Sequence, residues 1–544
     1  MRIRWNLLPL ALCFGAAAIN AQNGGGAAWF GTPVPAAASD PRKPVMKYDD
    51  VFAPVPVHFA HRPGRFDELL DGAALKKDHK AIVGFSLESL AAGEKLWGRR
   101  AATPSFMHTI EWTVNELKAA GLKDAKAETF AVPGAMWVPQ SWQVQVVSDP
   151  AFGAGTKDVT LQSAFPQPGG ATISGSLTAP VVYVGHGTDA DLAGRDLEGR
   201  IAIVRVRPEP SLFGAGEQGV AARLVEKGAA GVINAIEGPG NALYVDPRFA
   251  CGKTPCFMIG GEDAWFLQTV IGKVANAGLL DRLKINVALT SREQGGLTSA
   301  NGIATIPGQS SRRIIINAHA DGYFQGGDDN ASGLAVLVGL ARYFAKQPQP
   351  KHTLMFVASG GHHGPGNGPA ALVAAHPELK DGTVLILNLE HVAYLDVVRG
   401  KTRSVNNIGM GWETSVTESA KAVGVTNESP FVIDLWKRAS RCYGVATYQS
   451  AGPTVSGDLG GYRTLGVPMT QMIQSGTFYH SSGDVYEAVP SEGIERAARF
   501  HAYLIEQVDQ AAESLVAAGQ GTPYKSALPD CGAAATGSSR SQQP

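Results

Sequence analysis

Apolar positions recur along this chain with two different periods, and the change of period divides it. Between residues 79 and 122 the spacing is helical: Phe106, Ile110, Val114 and Leu117 share one face, Thr103-Pro104 supplies a start and Gly121 a stop, and two helices are predicted. A strand over 127–132 follows. From about residue 160 the apolar runs shorten to strand length. Pro180–Val184, Ile201–Val206, Phe257–Ile259 and Leu283–Leu289 are separated by turn residues, with one helix and strand inside 217–236. This predicts a self-contained β-rich module over 160–292. After residue 298, apolar strands at 312–317, 353–358, 384–389 and 467–473 alternate with helical stretches at 332–345, 366–375, 410–423, 433–441 and 491–515, the pattern of an α/β domain. The main domain is therefore read as split, 22–159 and 293–520, around the module. Residues 521–544 lose all periodicity and read as a loose tail.

Composition narrows the class. A chain of 544 residues is too long for one core, and 44% apolar with 17% charged residues suits compact domains. A net charge of −1 gives no reason to expect nucleic acid or an anionic membrane as partner. Arg2 and Arg4 precede an apolar run from Leu7 to Ala18, with Ala21 as a small cleavage residue. This predicts a secretory signal peptide over 1–21 and a secreted or periplasmic protein. Leu12 is too bulky for a lipid-attachment box at Cys13, and no later run reaches membrane-spanning length. Export leaves Cys251, Cys256, Cys442 and Cys531 in an oxidising compartment. The first two are read as a small disulfide loop rather than half a zinc site, since no second pair lies nearby, and Cys442 with Cys531 is the leftover pair.

Chemistry concentrates where apolar strands end. Residues 317–333 read NAHADGYFQGGDDNASG: His319 and Asp321 close the run Ile314–Ile316, and Asp329 stands at the turn into an apolar helix. Glu390 ends the strand 384–389, and His480 precedes Asp484. Carboxylates ending buried strands are expensive unless paired or bound to a cation, so His319, Asp329, Glu390 and His480 are read as metal ligands, with Asp321 orienting the imidazole. His58, His61, His79, His108, His186, His352, His376, His391 and His501 are read as ordinary core or surface groups.

Together, His319-Ala320-Asp321, Asp329-Asn330-Ala331-Ser332-Gly333, Asn388-Leu389-Glu390 and Tyr479-His480-Ser481-Ser482-Gly483-Asp484 resemble the co-catalytic zinc exopeptidases, a family that includes bacterial aminopeptidases and glutamate carboxypeptidases. The module, through Asp196–Ile201 and Lys227–Ile233, is similar to the protease-associated domain inserted in many secreted peptidases. The resemblance implies a mixed-sheet α/β domain with helices on both faces, one or two zinc ions, and a peptide or aminoacyl substrate. It gives His319 and Glu390 to one zinc and His480 to the other, with Asp329 bridging. Glu390 stands where the family usually has Asp.

One departure matters more. Where the family places two adjacent glutamates, a general base and a zinc ligand, this chain has His362 and His363. His363 is expected to ligate through a neutral nitrogen and His362 to take the proton from a metal-bound water. Losing one ligand carboxylate leaves the site more positive, which makes that water more acidic. Three readings follow: an exopeptidase with an altered base, a zinc enzyme of other chemistry such as aminoacyl cyclisation, or a binding protein that keeps the fold. Ser456 lacks a nucleophile-elbow frame, and the glycines of 360–368 lack the Lys-Ser/Thr of a phosphate loop.

Overall fold

The computed structural model describes residues 26–35, 37, 40–46, 48, 69–207, 219–404, 407–418, 420–449, 457–473 and 476–528. The signal-peptide prediction, Cys13, Ser456 and Cys531 lie outside them. The chain is built on two eight-stranded sheets.

The first sheet runs in the order Thr447–Gln449, Lys421–Val425, Met469–Ile473, Thr383–Glu390, Ser310–His319, His352–Ser359, Thr298–Ile306, Lys126–Ala131. Its four central strands are mutually parallel, from Met469–Ile473 through to His352–Ser359. The outer strands Thr298–Ile306 and Lys421–Val425 run antiparallel to their inner neighbours. Strand alternation sends Ile314, Ile316, Leu354, Phe356, Leu385 and Leu387 to one face and Ile315, Met355, Val357 and Ile386 to the other. Helices Gly72–Ala91, Pro104–Ala119, Gly333–Phe344, Pro430–Tyr443 and Ser491–Gln510 cover the first face. The shorter Gly368–Ala375 and Leu459–Tyr462 cover the second. Parallel strands buried on both faces read as continuous apolar runs, and these do.

The helix expected at 410–423 is not formed. Asn407–Glu418 is a strand paired with Leu395–Ser404, and Lys421–Val425 joins the main sheet. Gly409 and Gly411 weaken a helix there, and β-branched Thr414, Val416 and Thr417 favour strand.

The second sheet takes in Met136–Val147, which pairs along its whole length with Lys284–Gln294. The module therefore begins before residue 160, and the boundary read from the sequence falls too late. The segment after residue 26 also belongs to this sheet's core: Trp29 is buried against Phe152 and Phe266. A short arm carrying Trp29 and Phe30 follows the surface that hides the indole ring, which its sequence position does not reveal. Cys251 and Cys256 are joined in a disulfide, and Cys442 is disulfide-bonded.

His501, on the long helix Ser491–Gln510, is fully buried, and its Nδ1–H donates to the Ala497 carbonyl at 2.7 Å. Burial holds its pKa down at about 4. A depressed folded-state pKa contributes stability above the unfolded value near 6.5 that is lost as pH falls toward 4, up to about 3 kcal/mol. His501→Leu is expected to lower the acid-unfolding midpoint, followed by circular dichroism.

Candidate metal centre

The parallel strands deliver their carboxyl ends to one edge, the place where open α/β sheets build sites. His319 is level with Ser359 across the sheet, and Glu390 with Ile473. The chain then supplies His362 and His363 just past Ser359, His391 just past Glu390, and His480 beyond Ile473. Asp329 comes from the turn Gly327–Ser332 leading into the helix Gly333–Phe344.

These side chains converge. Asp329 Oδ1 stands 2.7 Å from His363 Nε2, 3.0 Å from His391 Nε2 and 3.4 Å from His319 Nε2. Asp329 Oδ2 stands 3.2 Å from His480 Nε2. Among the described residues three groups bring ligand atoms within 4.8 Å of one another: His319, Asp329 and His391; Asp329, His363 and His480; and His319, His362 and His363. Asp329 is thus central, with Oδ1 facing His363, His391 and His319 and Oδ2 facing His480.

Two features fit a cation. His319 Nδ1 faces the Asp321 carbonyl at 3.0 Å, which fixes the tautomer and leaves Nε2 with a lone pair. That Nε2, Asp329 Oδ2 and His480 Nε2 are all buried without a hydrogen-bond partner among the described residues. Orphaned buried lone pairs facing one another are costly unless a cation joins them. Imidazoles around one carboxylate suit a borderline ion such as zinc. Burial, together with the neighbouring His362, outweighs Asp329 and holds the His363 pKa down at about 3, so it is a neutral donor. Burial also opposes charge on His391, but Asp329 beside it prevails and holds it up at about 9. Asp329 itself is buried, yet His363 and His391 keep it well below the usual carboxylate range.

Asp321 is buried beneath this cluster, and its Oδ2 accepts the His363 backbone N–H at 2.5 Å. It ties the His319 strand to the His362–His363 turn. Asp484 does the same for the Asp329 turn, accepting the N–H groups of Asp328 at 2.7 Å and Asp329 at 3.0 Å. Underneath, buried Arg99 donates to the carbonyls of Ala320, Gln325 and Gly326 and holds the loop between them.

Glu390, expected from the sequence as a ligand, makes different contacts from Asp329. It belongs to none of the three groups. Its Oε2 accepts from Asn388 Nδ2 at 2.7 Å, and its Oε1 lies 3.6 Å from His362 Nε2. The neighbouring His391, read from the sequence as an ordinary histidine, takes the position beside Asp329. The reason is local: His391 has φ +52°, and this left-handed turn at the strand end swings its ring back into the site. Gly457 presses on the other side of Glu390, where any Cβ would strike the carboxylate.

His362 lies with its ring stacked on His319 at 4.1 Å between centroids. Its Nδ1 faces Asp458 Oδ1 at 3.1 Å. Asp458 is held in turn by Ser359 Oγ and, at 3.0 Å, by Asn317 Nδ2. Burial opposes charge on His362, but Asp458 and Glu390 outweigh it and push its pKa up to about 10. An Asp–His dyad therefore stands at the position where the resembled family has a glutamate base and where the sequence reading placed His362.

Residues 301–505 match the model of Peptidase family M28. No curated protein matches the chain. Among solved structures, the fold is similar to that of a Peptidase M28 precursor from Shewanella amazonensis SB2B, at 18% identity and TM-score 0.59, covering 84% of this chain and 100% of that one. An aminopeptidase from Aneurinibacillus sp. strain AM-1 matches at 20% identity and TM-score 0.52, covering 82% and 95%. BSAP, a zinc aminopeptidase from Bacillus subtilis, matches at 17% identity and TM-score 0.55, covering 82% and 97%. The mixed α/β architecture expected from the motifs is the one these structures share.

Proposed function

We propose, taking residues 301–505 as a Peptidase family M28 domain, that the chain is an exported zinc-dependent exopeptidase of aminopeptidase type. The observation that carries the reading is the convergence of His319, His363, His391 and His480 on Asp329, with His319 Nε2, His480 Nε2 and Asp329 Oδ2 buried without a hydrogen-bond partner among the described residues. A chain drifting into a mere scaffold has no reason to keep such a buried cluster, since each unpaired polar atom destabilises the fold. The solved structures similar to this one that are named as aminopeptidases support the amino-terminal choice. The charged and apolar segments of residues 1–21 support export.

Zinc held by these side chains would supply a Lewis acid for the scissile carbonyl and lower the pKa of the attacking water. The other roles fall to the protein. Asp458 accepts from His362 Nδ1, which leaves Nε2 as the basic nitrogen aimed into the site. His362 takes the proton from the attacking water and returns it to the departing amine. Glu390, 3.6 Å from that nitrogen, stabilises the imidazolium in between. Asp321 keeps His319 and His363 in register while charge develops.

The test is a substrate panel with a metal assay. The purified chain is expected to contain zinc and to hydrolyse unblocked aminoacyl-anilides, with activity removed by a chelator and restored by zinc, and no turnover of N-acetylated substrates. Zinc without turnover on any substrate would make it a binding protein. Ring closure of N-terminal glutaminyl peptides without hydrolysis would make it a cyclase.

A further inference from the structure

The second sheet meets the metal centre at one loop. Ahead of the short turn Pro247–Phe249, the residues Leu243–Asp246 lie along the His480 loop as an added strand would. Val245 N–H donates to the His480 carbonyl at 3.0 Å, and Ser482 N–H donates to the Leu243 carbonyl at 2.9 Å. Leu243 N–H donates to Ser482 Oγ at 2.9 Å, and Tyr244 bridges to Ser481. Beneath this contact the two domains share apolar packing: Val184, Val204, Tyr244 and Phe249 of the module cluster with Phe478 and Val485. The loop is therefore fixed at both ends.

Asp246 comes out of this arrangement fully buried, with its Oδ2 3.4 Å from His480 Nδ1. Its carboxylate also receives Arg248, through Nε at 2.8 Å and through the Nη2 contact, and it caps the turn by accepting the Arg248 N–H at 2.9 Å. Its own N–H donates to Gln167 Oε1 at 2.8 Å, which pins it to the module. The opposite nitrogen of His480, Nε2, is the one facing Asp329.

We infer that Asp246, a residue of the module, is the positioning residue for His480, so that the centre is completed only when the module is docked. This rests on the proposed reading of His480 as a zinc ligand. An imidazole that binds a cation through Nε2 must carry its proton on Nδ1, and a carboxylate acceptor there fixes the tautomer and the ring plane. The 3.4 Å separation closes with a small ring rotation, and the backbone pairing at the His480 carbonyl and at Ser482 holds the residue's main chain in place. The module thus acts on the metal rather than on the substrate alone.

The experiment is a zinc titration of the full-length chain against a competing chelator, with circular dichroism to verify folding. Asp246→Asn is expected to weaken one zinc site about 10–100-fold, the same site that His480→Ala removes. Because Asp246→Asn also strips Arg248 of its carboxylate, the double variant Asp246→Asn with Arg248→Met is measured beside it and is expected to stay equally weak. Wild-type affinity in the single variant overturns the inference. So does recovery in the double variant, which would assign the effect to the Arg248 charge. Should these substitutions unfold the loop, the wild-type protein decides: with ¹⁵N-labelled histidine and bound zinc, His480 Nδ1 is expected to carry a strongly deshielded proton, and its absence overturns the positioning role. A wild-type chain that binds no zinc overturns the proposed function and this inference together, whereas unchanged affinity in Asp246→Asn overturns this inference alone.

Discussion

Asp329→Asn is expected to empty the centre and to lower kcat/KM about 10⁴-fold, the scale of losing metal assistance altogether. The reason is the charge inventory. Four imidazoles lie around Asp329, which belongs to two of the three ligand groups found among the described residues and is the one carboxylate in any of them. A neutral amide keeps the size and one acceptor oxygen but cannot supply the negative charge that offsets a bound dication. Every other ligand in those groups is an imidazole and brings no compensating anion. The measurement is zinc content by atomic absorption beside steady-state kinetics on an aminoacyl-anilide. If Asp329→Asn retained its zinc and stayed within tenfold of the wild-type rate, the centre would have to be organised around another group, with Glu390 the next to test. The fold should survive the change, because Asp484 holds the Asp329 backbone rather than its side chain.

Much of this centre was legible because parallel sheets advertise their carboxyl ends. The runs Ile314–Ile316, Val384–Leu389 and Thr353–Ala358 are apolar and continuous, and a polar group placed immediately after such a run must sit at the sheet's edge. His319 and His363 could be found that way, and Asp329 and His480 by the turn and motif around them. His391 could not. The choice between Glu390 and His391 depends on one backbone torsion at the strand end, and a left-handed non-glycine residue leaves no mark in the pattern of apolar positions. Asp458 and Asp246 were hidden for a different reason. Each reaches the site from a distant stretch of chain, one after a loop and one inside the other domain, and only tertiary packing brings them there. The early boundary of the module was missed on similar grounds. Met136–Val147 alternates like a strand of either sheet, and its partner Lys284–Gln294 is what decides.

The pairing of His362 with Asp458 leads to the other large effect. His362→Ala is expected to lower kcat/KM about 10²–10⁴-fold, the usual contribution of a positioned base, while zinc content stays close to wild type. Asp458→Asn separates orientation from proton transfer. The carboxylate beside Nδ1 favours the imidazolium, which is why His362 is held up at about 10 without metal. Bound dications oppose that charge and pull the working value down toward neutrality. Activity requires neutral His362, so kcat/KM should rise with pH as the ring loses its proton. Removing the Asp458 charge lowers the His362 pKa further, so the ascending limb should move to lower pH. At the same time the plateau should fall, because nothing then fixes which nitrogen carries the proton. A merely structural role for Asp458 would lower the plateau and leave the limb in place. If instead His362→Ala hydrolysed at the wild-type rate across the pH range, the water would need no base here, and the excess positive charge of a centre with a single ligand carboxylate would be sufficient to ionise it.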